Sequence, residues 1–530
     1  MAVYGIDQGR KKMTLSEIDK TWDLIVIGGG ITGAGVFREA VRIGLKVLLV
    51  EQNDFSWGTS SRSSKMVHGG LRYLKEGRFL LTRTSVHERE RLLRESPGLI
   101  EPLEILVPVY SDHGPGKQAL SLGLSIYGLM AHEKQHTYFE SREFTAMVPG
   151  VREDKLVGGF SFYDAQVDDV RLVLRLIHEA VLAGGTALNY TQVKEILRDN
   201  KGSVYGVTLS DFETGESVEV QTGTVINATG AWAEKLHPSP KEGLHLRPLR
   251  GSHIILASDA LPITRAISFI HPEDNRPIFA TPWEGGILVG TTDMDHGQDL
   301  SHEPYISDEE FFYLLEGLRV HFPSLSITED QCLSTLAGIR PVLSKGKLSP
   351  SKESRESVIW MDKGLVTVTG GKLTTFRKMA FDTLKAAKPF LPSSIRIVRS
   401  QAVFTKVPVN LSEQDMISKE TWRRLYGRYG LSAADVVKDS DSRDLEKIPG
   451  TNTIWAEIRF AAKHEKIRHL SDLLLRRVRI GILTPEGGKE YMDRIEKLCQ
   501  PILSWDDRKW CDEKSIYETL WKSAHRIPKR

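Results

Sequence analysis

Regular structure begins within residues 23–35, DLIVIGGGITGAG, where four consecutive Leu, Ile and Val positions without polar alternation predict a strand buried on both faces. The VFREAVRIG stretch that follows places Val36, Ala40 and Val41 at helical spacing and stops at Gly44. Residues 46–51, KVLLVE, predict a second buried strand. Strand, helix and strand within about thirty residues make a βαβ unit, which demands parallel pairing. Two later runs, TVINATG at 224–230 and GLVTVTG at 364–370, again read as strands ending in glycine before a helix-like stretch. The parallel sheet is therefore assembled from pieces far apart in the chain.

Between those pieces the texture changes. SHIIL at 252–256 and GILVGTTD at 286–293 carry the alternation and turn signals of an antiparallel sheet inserted in the first domain. Beyond about residue 400, TIWAEIRFAAKHEKIRHLSDLLLRRVRIGIL has apolar residues every three or four positions. Thr484-Pro485-Glu486 looks like an N-cap with proline at the first helical position. The expected architecture is α/β with an α+β insertion in three parts. They are a doubly wound parallel sheet (20–110, 150–240 and 335–395), an inserted antiparallel domain (111–149 and 241–334), and an all-α C-terminal domain (400–530).

Composition narrows the function. A chain of 530 residues, 40% hydrophobic and 26% charged, is globular, and a net charge of +2 is too small for a dedicated nucleic-acid binder. The charge is uneven: residues 451–530 hold 17 Lys and Arg against 12 Asp and Glu, leaving that end near +5 and the remainder near −3. Three cysteines without paired spacing support neither a disulfide framework nor a thiolate metal site, and suit a reducing compartment. His132 and His136 are four apart but lack a third ligand, so no metal is expected.

Gly28-Gly-Gly30-Ile-Thr-Gly33 matches G-x-G-x-x-G directly after a strand and before a helix, and Glu51 closes the second strand. Gly28 permits the tight turn, Gly30 lets the backbone approach a pyrophosphate, and Gly33 allows close helix–strand packing. The helix N-terminus then offers N–H groups and a positive dipole end to the phosphates. Glu51 suits ribose hydroxyls and disfavours a 2′-phosphate. NAD and FAD both fit this clamp. The long polar loop GTSSRSSKMVHGG at 58–70 favours the larger, permanently bound FAD, although Ser and Gly are also what a plain surface loop contains.

The segments VIGGGITGAG, TSSRSSKMVHGGLRYL, DDVRLVL, NATGAW, GSHI, VGTTD, AGIRP and TGGKLTTFRKMA, in this order, resemble the FAD-dependent sn-glycerol-3-phosphate dehydrogenase family. The resemblance runs from about residue 20 to the C-terminus and is strongest up to Ala380. It implies oxidation of sn-glycerol 3-phosphate to dihydroxyacetone phosphate, with hydride transfer to N5 of a non-covalently bound FAD. The cofactor would be held by Gly28, Gly30, Gly33, Glu51, Thr59, Ser60, Ser64, Lys65, His68, Gly69, Gly70, Ala228, Thr229, Gly230, Gly371, Lys372, Leu373 and Thr374.

That chemistry needs a phosphate clamp, a base, and positive charge near a developing alkoxide. Arg72 and Arg355, with Tyr73, resemble the family's substrate-binding positions, and an arginine fork meets phosphate oxygens bidentately. His253, a lone histidine entering an apolar strand, is the candidate base, with His68 its rival. Arg340 in GIRP and Lys372 in GGKLTT supply charge, Lys372 toward substrate or toward an anionic flavin. Thr374 and Thr375 also read as an N-cap pair.

The most apolar stretch, ALSLGLSIYGLMA at 119–131, is too short to span a bilayer. It reads as a buried helix or as one laid in a membrane interface. The resemblance implies a cytoplasmic, bacterial-type homodimer resting on the cytoplasmic membrane and passing electrons to quinone. Alternatives are an O2-using glycerol-3-phosphate oxidase, an amine or amino-acid oxidase of the same superfamily, and a non-catalytic flavin-bound protein.

Overall fold

The structure is a computed structural model that describes residues 14–75, 77–131, 136–237, 245–344, 356–398, 402–407, 417–438 and 440–529, apart from the side chains of Arg72 and Lys75. The glycine-terminated runs join three further strands in one six-stranded sheet, in the order Ser357–Asp362, Leu365–Gly370, Val225–Asn227, Leu24–Ile27, Val47–Val50, Thr186–Leu188. All neighbours are parallel except the first pair. Helices Ile31–Arg42, Asp169–Leu182 and Phe376–Ala387 cover one face through Leu24, Val26, Leu49 and Val366. An antiparallel meander, Thr191–Arg198, Val204–Asp211 and Ser217–Gln221, covers the other through Ile25, Ile27, Leu48 and Val50. Burial on both sides is why these strands are apolar without alternation. The carboxyl ends of the parallel strands carry Gly28, Glu51, Ala228 and Gly371 to one edge of the sheet, where open α/β sheets bind ligands.

A second, mixed sheet of ten strands is antiparallel except where Ala266–Ile270 runs parallel to Ile100–Tyr110. Two of its long strands, Ile100–Tyr110 and Leu156–Val167, come from stretches grouped with the cofactor domain on sequence grounds. Its strand His245–Ala257 pairs along its length with Cys332–Ser344 and, at its carboxyl half, with Gly286–Gly290. This register sets Gly251 opposite Gly338 and His253 opposite Gly290.

The C-terminal part is helical and packs Leu473, Leu474 and Ile482 against Ile255, Trp283 and Leu288 of the second sheet. Two local expectations fail. The run 453–483 is broken into Trp455–His464, a π-helical turn Asp472–Arg477 and Ile480–Leu483, because Arg476, Arg477 and Arg479 turn inward to buried carboxylates and a regular amphipathic helix would aim them at solvent. Thr484-Pro485 starts no α-helix either. Glu486, Gly487 and Gly488 all take left-handed angles, and the helix begins at Met492.

Candidate active site

The three motif glycines do different work. Gly28 sits at φ 107°, and a Cβ there would lie 2.6 Å from the Ala228 carbonyl oxygen. A Cβ on Gly33 would stand 1.8 Å from the Gly28 oxygen, so only glycine lets the helix pack on the turn. Gly30 has an ordinary φ of −81°, and its notional Cβ meets only Ser60 Oγ at 3.1 Å. That flank is clear of backbone, which lets a ligand approach the helix N-terminus closely. Ser60 Oγ accepts the Ile31 N–H at 2.9 Å, capping the helix, and keeps its own O–H to donate. Glu51 accepts from Gly29 N at 2.7 Å and Asn53 N at 2.9 Å, which fixes its carboxylate at the strand end, while burial raises its pKa. Thr229 bonds Asn227 Oδ1 at 2.7 Å, and Gly230 accepts from Thr369 Oγ1 at 2.9 Å, so the NATG turn is tied to the next strand.

The polar loop 59–70 is anchored throughout. Thr59 Oγ1 donates to the Ile339 carbonyl. Ser64 Oγ lies 2.9 Å from His253 Nε2. Gly69 N donates to Asp164 Oδ1 at 3.1 Å, and the Thr374 hydroxyl bridges the N–H and C=O of His68, both at 3.2 Å. Thr374 is thus a tie between two loops. Neither it nor Thr375 caps the following helix through its side chain. Gly70 leaves room for the buried Tyr73 ring, over which Lys372 Nζ sits 3.6 Å from the centroid. Lys372 Nζ also reaches Ser85 Oγ at 3.3 Å, while Leu373 and Gly371 are partly exposed beside it.

Lys65 must be reassigned. Its side chain is fully buried, and Nζ is held by Ser61 O at 2.6 Å and both Asp169 oxygens at 2.8 Å, so it supports the loop from beneath and cannot touch a cofactor. Burial draws its pKa down to about 8 against the pull of Asp169. Arg355 lies outside the described residues, as does the side chain of Arg72.

His253 and Arg340 meet on one face of the second sheet. The Arg340 guanidinium lies over Gly251, where a Cβ would be 2.1 Å from Nη2, and the His253 ring lies over Gly290, where a Cβ would be 2.3 Å from Cδ2. Gly251 and His253 are two apart and share a strand face. Arg340 donates to Asp293 Oδ1 at 3.0 Å, Thr292 O at 3.2 Å and Thr291 Oγ1 at 3.0 Å, yet remains partly exposed. Burial, Arg340 and Lys65 together hold the His253 imidazole well below its usual 6.5, so it is neutral at physiological pH. Arg340→Ala is expected to keep the bound-flavin spectrum but slow anaerobic flavin reduction by about 10²-fold or more, the usual effect of losing one preorganised charge partner. Unchanged reduction kinetics would make Arg340 structural.

Asp293 and Asp169, which orient Arg340 and Lys65, were not among the sequence candidates. VGTTD and DDVRLVL were visible as segments, but a carboxylate's partner lies in another strand or helix and leaves no local pattern.

The FAD dependent oxidoreductase family matches residues 23–377, and the C-terminal domain of alpha-glycerophosphate oxidase matches 393–510. The chain is an FAD-dependent oxidoreductase, and the open Gly30 flank, the capped helix N-terminus and the strand-end Glu51 fit that cofactor. The aerobic glycerol-3-phosphate dehydrogenase of Bacillus subtilis is 38% identical over 529 residues, 94% of each chain, and that of Staphylococcus aureus is 31% identical over 91% of each. This chain belongs to the glycerol-3-phosphate dehydrogenase family. Its fold superposes on the Bacillus halodurans glycerol-3-phosphate dehydrogenase complexed with FAD with a TM-score of 0.75, at 27% identity, covering 96% of this chain and 95% of that one. The Mycoplasma pneumoniae L-alpha-glycerophosphate oxidase, at 18% identity and a TM-score of 0.58, shares the fold over 74% of this chain and the whole of that one.

Proposed function

We propose that the protein oxidises sn-glycerol 3-phosphate at C2 to dihydroxyacetone phosphate. When bound, FAD supplies the hydride acceptor. His253 takes the hydroxyl proton, Arg340 stands beside the oxygen on which charge develops, and Lys372 contributes a second positive charge from the loop 370–375. Arg72, Tyr73 and Arg355 hold the phosphate. The observation that carries this reading is the pairing of a buried neutral imidazole with a partly exposed, three-times-anchored guanidinium on one strand face. An amine without an oxygen leaves such a cation unused, and an amino acid would engage it through its carboxylate, which is why glycine belongs in the test.

The test is an anaerobic titration of the holoenzyme. Glycerol 3-phosphate is expected to bleach the flavin and glycine to leave it oxidised, and bleaching by glycine alone would overturn the assignment. Unphosphorylated glycerol is expected to lose 10²–10⁴-fold in kcat/KM, roughly two charge-assisted contacts at about 1.5–3 kcal/mol each. Equal rates for the two alcohols would exclude a phosphate clamp.

The electrons, on this reading, go to a quinone at a membrane. No helix among the described residues is long and apolar enough to cross a bilayer. The helix Lys117–Ala131 instead combines the two readings of its sequence: it buries Leu124, Tyr127 and Ala131 yet leaves Leu122 at 64% and Leu129 at 77% exposure. The neighbouring helix Phe79–Glu95 adds Phe79 and Leu80, at 52% and 81%. Four large apolar side chains on two packed helices, with Arg83 and Lys117 exposed on the same pair, suit an anionic lipid surface. Leu122→Asp with Leu129→Asp is expected to abolish co-flotation with anionic vesicles while flavin reduction stays normal. Full retention on vesicles would remove this face from membrane contact.

A further inference from the structure

We propose that Glu310 is a positioning residue for the reaction: from behind the second sheet it fixes the segment 291–293, and through that segment the Arg340 guanidinium. The inference deepens the proposed function and rests on Arg340 being the charge beside the substrate oxygen. Three consecutive residues hold Arg340, through Thr291 Oγ1, the Thr292 carbonyl and Asp293 Oδ1. Along the strand His245–Ala257, Gly290 pairs with His253 and Met294 with Arg250. Three residues, 291–293, therefore stand opposite two, Gly251 and Ser252. The extra residue makes a bulge and interrupts the ladder, so strand pairing alone does not fix this segment.

Thr292 supplies the missing anchor. Its hydroxyl accepts the Ser252 N–H at 2.9 Å and donates to Glu310 Oε1 at 2.5 Å. Ser252 Oγ donates to the same oxygen at 3.0 Å. Ser252 lies between Gly251, which the Arg340 guanidinium overlies, and His253, so its side chain points to the opposite face of the strand. The helix Asp308–His321 covers that face, where Phe311, Leu314 and Leu318 share a core with Ile254, Leu256 and Val289. One carboxylate behind the sheet thus gathers both sides of the bulge, and the front of the bulge carries Arg340.

Helix capping does not account for the whole of this carboxylate. Glu310 is the N3 residue of a capping box with Ser307, and capping uses Oε2, which accepts the Ser307 N–H at 3.1 Å. Arg250 Nη2 pairs with the same oxygen at 2.7 Å, matching the charge of a glutamate that is only 4% exposed. Oε1 is turned to the sheet instead, and two hydroxyls on a buried carboxylate make a stiffer support than two neutral hydrogen bonds would.

Anaerobic stopped-flow reduction of the holoenzyme by saturating glycerol 3-phosphate tests this. Thr292→Val removes the hydroxyl and keeps the carbonyl that Arg340 uses. It is expected to slow reduction about 10-fold with FAD retained, and Thr292→Ser to restore the wild-type rate. Glu310→Ala is expected to give the same loss, whereas Glu310→Gln, whose amide oxygen still accepts both hydroxyls, stays within about 3-fold of wild type. The discriminating measurement places Thr292→Val and Glu310→Ala in Arg340→Ala. Because both act through the guanidinium, neither is expected to slow the enzyme further once it is gone. A wild-type rate in Thr292→Val or Glu310→Ala overturns the proposal, and so does an undiminished loss on the Arg340→Ala background, which would make Glu310 a general support of the fold. Should Glu310→Ala fail to fold, the Thr292 variants and their cycle decide by the same criteria. If Arg340→Ala itself reduces its flavin at the wild-type rate, the charge assignment falls, and this inference with it.

Discussion

Gly30→Val is expected to give a folded protein that purifies without yellow colour. The backbone accepts a side chain because Gly30 already sits at φ −81°, and the notional Cβ, 3.1 Å from Ser60 Oγ, asks only the serine side chain to give way by a few tenths of an ångström. The substitution is intolerable to the ligand, because the valine methyls fill the flank where a pyrophosphate must approach the helix N-terminus. Gly33→Val is the contrasting variant: with the Gly28 oxygen 1.8 Å from its Cβ it should fail to fold rather than fail to bind. Absorbance at the flavin band together with circular dichroism separates the two outcomes. A yellow Gly30→Val protein with full FAD occupancy would move the pyrophosphate elsewhere.

Asp54→Ala is expected to lower stability by about 3–5 kcal/mol, the usual cost of stripping one partner from a buried ion pair. Asp54 is completely buried three residues beyond Glu51, and it receives Arg477 at 2.7 Å and Asn189 at 3.1 Å, with Arg476 alongside. Burial opposes its charge, and Arg477 and Arg476 more than compensate, holding the carboxylate at about 2. The folded value is below the unfolded 3.8, so this contribution is complete above roughly pH 4 and is lost as pH falls toward 2. Acid titration of the variant should accordingly show a shallower loss of stability in that window than the wild type, the other depressed carboxylates such as Glu213 still contributing. Calorimetry showing equal unfolding temperatures for the two proteins at pH 7 would mean the pair is not holding the helical part to the cofactor sheet.

The cofactor clamp was legible in sequence because all its constraints act within thirty residues: a two-sided strand, a turn that only glycine can make, a helix and a terminal acid. The same is true of the strands Val225–Asn227 and Leu365–Gly370, each of which runs into a glycine turn. What was not legible depends on pairing across the chain. Arg476 and Arg477 fall at positions where helical counting predicts solvent, yet they meet Asp54 more than 420 residues earlier. Lys65 was counted among the cofactor-holding residues through the resemblance of its segment, and only Asp169 shows that its charge is neutralised underneath. His253 was singled out by the resemblance of its GSHI segment, but its relation to Ser64 was invisible because the partner sits in a loop 189 residues earlier.

The strand order of the cofactor sheet also governs when the site comes into being. Val225–Asn227 lies between Leu24–Ile27 and Leu365–Gly370, so the central strand waits for partners made hundreds of residues later. At translation speeds of roughly 5–20 residues per second, the last parallel strand leaves the ribosome some 20–70 s after the first. Throughout that interval the emerging Rossmann half has an apolar, unpaired edge and no complete ligand site, and the arginines that lock Asp54 are synthesised later still. The complete cofactor site therefore exists only after Leu365–Gly370 has emerged and paired with Val225–Asn227.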